Sequence, residues 1–305
     1  MSMNGEREAG YPAVWRPKDA QEAVRLKKQF GREADYVAGG TLLRTQWEAG
    51  LKQMPAHLID LSGIVTLSGF VLSEDCMSIG SFTMLAAIRR SAELTAGFPL
   101  IALAARGIAA PSIRNAATIG GNVISVVGDA LPALLAYEAE LDWEEGGTKR
   151  SETLAGWLAR ADTGTYDSAL LLRIRLPLRQ EGKAAPSEPP VSRSFAFYDK
   201  IGRREAFTPS VVTSALIGGI GADGRLRNLR LAAGGGRTVP KRLTLAETEL
   251  EGAAADDRAV ARLYNLVMEE YRPEPDSFAS AEYRRRTAAN VLSAQLWQAV
   301  RGFEG

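Results

Sequence analysis

Ala38-Gly39-Gly40-Thr41 and Thr118-Ile119-Gly120-Gly121-Asn122 each set two adjacent glycines beside hydroxyl or amide side chains. A glycine pair removes the Cβ atoms that would keep a phosphate from backbone N–H groups. It also permits the positive φ that folds successive amides into an anion-binding nest. Thr41, Thr118 and Asn122 supply side-chain donors at the ends. Tight turns use glycine pairs as well, but two pairs with donors beside them point to a diphosphate. Gly219, Gly221 and Gly224 spell G-x-G-x-x-G. The dinucleotide fingerprint needs a helix to open at the third glycine, whereas RLRNLRLAAG follows here with the alternation of a strand. Ala222-Asp223-Gly224 therefore reads as a hairpin turn. No G-x-x-x-x-G-K-[ST] run occurs, which excludes a P-loop.

Other chemistry is excluded by counts. With one cysteine, Cys76, and one histidine, His57, the chain cannot build a zinc or iron–sulfur site or a cysteine–histidine nucleophile pair. His57, in PAHLIDL, reads as a structural residue at the start of a short strand, and Cys76 as a small buried hydrophobe. Any enzymatic activity would depend on a bound cofactor. An internal disulfide is impossible, which fits a reducing compartment, and we expect a cytoplasmic protein. The 37 basic and 36 acidic residues give a net charge of +1, so nothing favours nucleic acid or an anionic membrane. We expect no membrane span.

The elements that must position these loops are mixed. KDAQEAVRLKKQF reads as an amphipathic helix, DYVAGGTLL as a strand and glycine turn, and HLIDL as a strand. VTLSGFVLSEDCMSIGSF suggests a hairpin or two strands; TMLAAIRRSAEL and PLIALAARGIA suggest helices. PSIRNAATIGGNVI returns to turn and strand character, and GDALPALLAYEAEL runs from helix into strand. A Pro- and Glu-rich stretch at 180–192 reads as a linker. Beyond it we expect a small antiparallel sheet, then helices, with Gly234-Gly235-Gly236 reversing the chain before a helix at Pro240. Tyr283, Thr287, Val291, Ala294 and Ala299 mark a helical stripe near the C-terminus. The fold class is α+β.

AGGTLL, IRNAATIGGN and GDALPALLAYEAEL resemble the FAD-binding subunit of molybdenum hydroxylases, the xanthine dehydrogenase and carbon monoxide dehydrogenase family. KIGRREAFTPSVV, LAAGGGRTVPKR and EYRRRTAANVL resemble the C-terminal flavoprotein domain of that family, so the resemblance covers most of the chain. It implies a two-lobed FAD-binding domain of the vanillyl-alcohol-oxidase/PCMH type over 1–179, split near 61. A C-terminal domain with an antiparallel sheet and a helical bundle would follow over 193–305.

The resemblance also implies roles. Val37, Ala38, Gly39, Gly40, Thr41, Leu42 and Leu43, with Thr118, Ile119, Gly120, Gly121 and Asn122, match the two loops that wrap the FAD pyrophosphate with main-chain N–H groups. Asp129 matches an acid that binds a ribose hydroxyl, though it could equally cap the helix that follows. Leu171 matches an apolar contact to the cofactor. Lys200 matches a lysine that reaches the flavin, against the plainer reading of a solvated lysine. Ile108 stands where some relatives place an aromatic over the ring. Thr41 occupies a position where the carbon monoxide-oxidising branch often has histidine, so AGGTLLRTQWEAG looks closer to purine-oxidising relatives.

By that resemblance the chain is an electron-transfer subunit with no catalytic side chain of its own. A large molybdenum-cofactor (molybdopterin) subunit would oxidise the substrate, a small [2Fe–2S] subunit would relay electrons, and FAD here would pass them to NAD or another acceptor. Two alternatives stay open: a free-standing flavin oxidoreductase of the same fold, and a nucleotide-binding or scaffold protein.

Overall fold

A computed structural model describes residues 11–161, 168–178, 191–202 and 210–302. Most of the expected linker, 180–190, lies outside the described residues; Val191 and Ser192 already belong to a strand.

The N-terminal part contains β1 (Ala13–Trp15), α1 (Ala20–Phe30), β2 (Ala34–Val37), α2 (Thr41–Glu48) and β3 (His57–Asp60). Its three strands pair in parallel in the order β1-β3-β2. Asp19 caps α1 by accepting the Glu22 N–H, and Ala23 and Val24 bury the apolar stripe against Ile59 and Leu61. His57 has the structural role expected of it. Its Nδ1 accepts from Trp15 Nε1 at 3.1 Å, and its ring stacks on Phe30.

A second part contains β4 (Phe70–Leu72), β5 (Cys76–Gly80), α3 (Leu85–Arg90), α4 (Ala92–Gly97), α5 (Pro99–Gly107), α6 (Pro111–Arg114), α7 (Ile119–Ile124) and α8 (Leu131–Ala136). It ends with β6 (Glu140–Glu145), β7 (Thr148–Thr153), α9 (Leu154–Ala161) and β8 (Leu170–Pro177). The strands form an antiparallel sheet, β4-β5-β8-β6-β7. Cys76 is only half-buried, because it begins β5 beside the exposed Ser73 turn rather than inside the core. PSIRNAATIGGNVI is helical (α6 and α7), not strand-like. Glycine disfavours a helix, but here Thr118 accepts the Gly121 N–H as an N-cap and tertiary contacts complete the first turn.

The C-terminal part is an antiparallel sheet, β12-β11-β10-β9, of β9 (Val191–Gly202), β10 (Ser210–Gly221), β11 (Leu226–Gly235) and β12 (Thr238–Arg242). It is followed by α10 (Thr244–Leu250), α11 (Asp257–Glu270) and α12 (Ala281–Arg301). Gly224 makes the β10–β11 turn with φ 71, so the G-x-G-x-x-G run is a hairpin as read. Pro240 lies in β12 and not in a helix; as an edge strand β12 tolerates the missing donor. The buried stripe of α12 is Arg284, Ala288, Ala289, Leu292, Gln295, Leu296 and Ala299, while Tyr283 is exposed. Polar residues hid that stripe in the sequence because their partners come from elsewhere. Arg284 donates to Val211 O and pairs with Asp276, and Gln295 donates to Asp199.

The second and third parts pack against each other at α8 and β9. All six residues of α8 are buried, and α8 packs on β10, β11 and β12 while α10 and α12 cover the other face. In β9, Ala196 and Tyr198 pack on the core around α5 and α8, and Phe195, Phe197 and Ile201 on the core around α11 and α12. The two-residue period of a strand thus divides one segment between two cores.

Candidate functional site

The two glycine loops meet. Gly39 lies so close to the chain before α7 that a Cβ on it would fall 1.9 Å from Ala116 O. Gly40 is the N-cap of α2, with φ 67 and no side-chain cap. No protein acceptor takes the main-chain N–H groups of Gly39 to Leu43 among the described residues. Free amides at a helix N-terminus, with the positive end of the helix dipole behind them, favour an anion. Val37 and Ala38 lead into this turn from the end of β2, and Thr41, Leu42 and Leu43 form the first turn of α2.

The second loop is arranged differently. Its amides already donate within the protein: Ile119 to Thr83 O, Gly120 to Ser81 O at 2.8 Å, Gly121 to Thr118 Oγ1 and Asn122 to Thr118 O. A Cβ on Gly120 would come 2.5 Å from Ser81 O. Its lack of a side chain therefore serves the packing of α7 on the chain after β5, not the approach of a phosphate. Asn122 Oδ1 accepts the Ala130 N–H at 3.1 Å, which ties α7 to the start of α8. What this loop still offers a ligand is the Thr118 hydroxyl hydrogen and the Asn122 Nδ2 group.

Asp129 and Lys200 are brought together. Lys200 Nζ lies 2.7 Å from Asp129 Oδ2, with side chains 11% and 16% exposed, and donates to Gly107 O at 3.2 Å. Lys200 is thus not a solvated lysine, and Asp129 does not cap α8, whose N-cap is Ala130 with no side-chain bond. Asp129 Oδ1 has no partner among the described residues and can accept a hydroxyl. The side chains of Ile108, Ile119 and Leu171 lie in the core around α5 and α8. Leu171 is 3% exposed and stands opposite Trp143 in the sheet. A ligand would meet these residues largely through their backbone.

Two residues not singled out in the sequence support this region. The Tyr198 hydroxyl donates to the Asp129 carbonyl at 2.7 Å; burial, then the charges of Asp129 and Asp199, push its pKa well up, so it stays a neutral donor. Arg114 Nη1 donates to the carbonyls of Arg106, Ile108 and Ala109. The available signals were position and period. Arg114 sits inside IRNAATIGGN, and Tyr198 is two residues before Lys200 on the same strand face.

FAD fits these residues where the structure offers unpaired donors. The amide nest before α2 can receive a pyrophosphate, and Asp129 Oδ1 a sugar hydroxyl. Among the described residues no cluster could hold a metal ion, and no helix is long and apolar enough to cross a membrane.

Comparison with known proteins agrees. Residues 7–179 match the FAD-binding domain in molybdopterin dehydrogenase, and residues 196–299 the carbon monoxide dehydrogenase flavoprotein C-terminal domain. The carbon monoxide dehydrogenase medium chain of Hydrogenophaga pseudoflava is 34% identical over 173 residues, 54% of this chain and 58% of that one. The xanthine dehydrogenase FAD-binding subunit of Escherichia coli O157:H7 is 25% identical over 272 residues, covering 88% and 89%. A solved carbon monoxide dehydrogenase from Hydrogenophaga pseudoflava, lacking the Mo-pyranopterin moiety of its cofactor, superposes with a TM-score of 0.83. It is 26% identical to this chain, covering 94% of it and 96% of the solved chain. An amide nest, an ion-paired carboxylate and these matches along the chain lead to one assignment: the chain belongs to the FAD-binding subunits of the molybdenum hydroxylase family, of the carbon monoxide dehydrogenase and xanthine dehydrogenase type.

Proposed function

We propose that this chain holds FAD as the electron-transfer subunit of a multi-subunit molybdenum hydroxylase. The observation that carries the proposal is the row of unpaired amides from Gly39 to Leu43, set against Ala116 and the second loop. The partners are a large molybdenum-cofactor subunit and a small subunit with [2Fe–2S] clusters, and the domains are 1–179 and 193–305 about the linker. Bound FAD supplies the redox chemistry, accepting electrons from the iron–sulfur partner and yielding them to NAD or another acceptor. The cytoplasm is the compartment that suits such an assembly.

The work of this chain's own residues is to bind and orient. The Val37–Leu43 loop and the α2 N-terminus hold the pyrophosphate by main-chain N–H groups. Thr118, Ile119, Gly120, Gly121 and Asn122 back that loop, with the Thr118 hydroxyl and Asn122 amide as its side-chain donors. Asp129 receives a ribose hydroxyl on Oδ1 while Oδ2 stays with Lys200. Ile108 and Leu171, with side chains in the core, back the site and offer the cofactor their main chain. Lys200 provides fixed positive charge, which favours the anionic reduced ring. Purine oxidation is the substrate reading we favour, because Thr41 stands in AGGTLLRTQWEAG where histidine would mark the carbon monoxide-oxidising branch.

Co-purification tests the proposal. The chain, expressed with its two candidate partner subunits, forms one complex that oxidises xanthine and reduces NAD. The FAD-loaded chain alone does not hydroxylate a purine. Robust hydroxylation by the isolated chain would sink the subunit reading, and a complex active on carbon monoxide but not on xanthine would remove the purine assignment.

A further inference from the structure

Four consecutive carbonyl groups at the end of α5 face cations. Arg114 Nη1 donates to those of Arg106 at 3.3 Å, Ile108 at 2.8 Å and Ala109, and Lys200 donates to that of Gly107. A helix C-terminus leaves carbonyls unpaired and carries negative partial charge, so a cation is favoured there. The two cations arrive from different places: Arg114 is 7% exposed on α6, and Lys200 comes from β9 of the C-terminal sheet. Arg114 has no carboxylate partner among the described residues, and burial, then Arg89, lowers its pKa. Carbonyl dipoles alone balance its charge, so loss of the contact would strand a cation in the core.

The turns these groups hold are not relaxed. Ala109 has φ 46, and Val126, between α7 and Asp129, has φ 55. Such values are unusual for alanine and rarer still for a β-branched residue, and they persist only where surrounding contacts impose them. Lys200 and Tyr198, on one face of β9, bind the side chain and main chain of Asp129. β9 thereby grips both turns.

We propose that Arg114 and Tyr198 are positioning residues that, together with the ion pair of Lys200, lock the 106–109 and 126–129 turns into one unit, so that the C-terminal sheet sets the shape of the flavin pocket. The proposal rests on the reading that Ile108 and Asp129 line the FAD site, and it adds that their placement depends jointly on Arg114 and β9.

The test is FAD titration of the full chain as parent, Arg114→Met, Arg114→Lys, Lys200→Met and the Arg114→Met/Lys200→Met double variant, with visible circular dichroism of the bound flavin. Arg114→Met and Lys200→Met each weaken FAD about tenfold or more and alter the flavin spectrum. Arg114→Lys stays within about threefold of the parent, because an ammonium has three donors for the same three carbonyls. The double variant is no more than about twofold weaker than the worse single one, since either change already frees the shared unit. Penalties that multiply, or an Arg114→Lys variant as weak as Arg114→Met, would overturn the lock. If Arg114→Met does not fold, Ala109→Gly replaces it in the double-variant cycle, changing the turn without stranding a charge; penalties that multiply with Lys200→Met, or an Arg114→Lys variant weakened about tenfold or more, would then overturn the lock. Parent protein that shows no saturable FAD binding overturns the cofactor reading and the lock together, and so is told apart from failure of the lock alone.

Discussion

Replacing Gly39 with alanine is the smallest change that should separate the two loops. The new Cβ would lie 1.9 Å from Ala116 O and 2.6 Å from Ala116 C, whereas an ordinary contact is 3.4 Å or more. The gap must therefore open by roughly 1.5 Å, and no side-chain rotation relieves it, because both partners are backbone. A displacement of that size takes amide donors out of hydrogen-bond range of an anion seated between the loops. Each hydrogen bond to a charged group contributes roughly 1.5–3 kcal/mol. Losing one or two, with partial relaxation, costs about 2–4 kcal/mol, or about 30–1,000-fold in the Kd for FAD. Gly40→Ala is the control. Its nearest neighbour is Val37 Cγ1 at 3.6 Å, so it suffers only from φ 67, at about 1–2 kcal/mol. Fluorescence titration of FAD with parent, Gly39→Ala and Gly40→Ala measures the difference. A Gly39→Ala protein that binds FAD within about threefold of the parent would refute the loop contact.

Gly120→Ala should instead act first on stability: a Cβ 2.5 Å from Ser81 O overpacks the α7 contact at about 1–3 kcal/mol, read as a lower denaturant midpoint. An unchanged midpoint would remove that packing role. Asp129→Ala should weaken FAD about 10–150-fold, from one charged hydrogen bond. Lys200→Met should lower the flavin potential beyond its effect on affinity, and an unchanged potential would take Lys200 away from the ring. Asp276→Asn should destabilise the C-terminal part by about 3–5 kcal/mol by leaving Arg284, 1% exposed, without its carboxylate partner. Burial raises the Asp276 pKa, but the N–H of Phe278, Arg284 and the N–H of Ala279 outweigh it and hold the carboxyl below its ordinary 3.8. Its stabilisation is present above that value and disappears as pH falls through the lower folded-state value. The gap between parent and variant should therefore narrow as pH falls below 3.8, and a gap that stays constant through the acid range would contradict the assignment.

The sequence made the first loop legible because a strand, two glycines and a short apolar segment, TLL, follow one another within a few residues. It misled over the second. ATIGGNVI looks strand-like because glycine and β-branched residues oppose a helix locally, and besides the Thr118 cap it is the Thr83 and Ser81 carbonyls, distant in sequence, that make α7 favourable. The Asp129–Lys200 pair spans 71 residues and could not be inferred from local pattern. Arg114 and Tyr198 were hidden for a related reason: buried polar side chains satisfied by carbonyls look, in sequence, like surface residues. α12 shows the same effect, with Arg284 and Gln295 interrupting a stripe that is nevertheless buried.

Flavin content tests the central claim most directly. Purified chain, denatured and analysed for released nucleotide, should yield about one FAD per polypeptide and no FMN, and the stripped protein should rebind FAD in strong preference to FMN, because the Gly39–Leu43 amides are placed for a pyrophosphate. Protein that holds no flavin, or that binds FMN as tightly as FAD, would contradict the account.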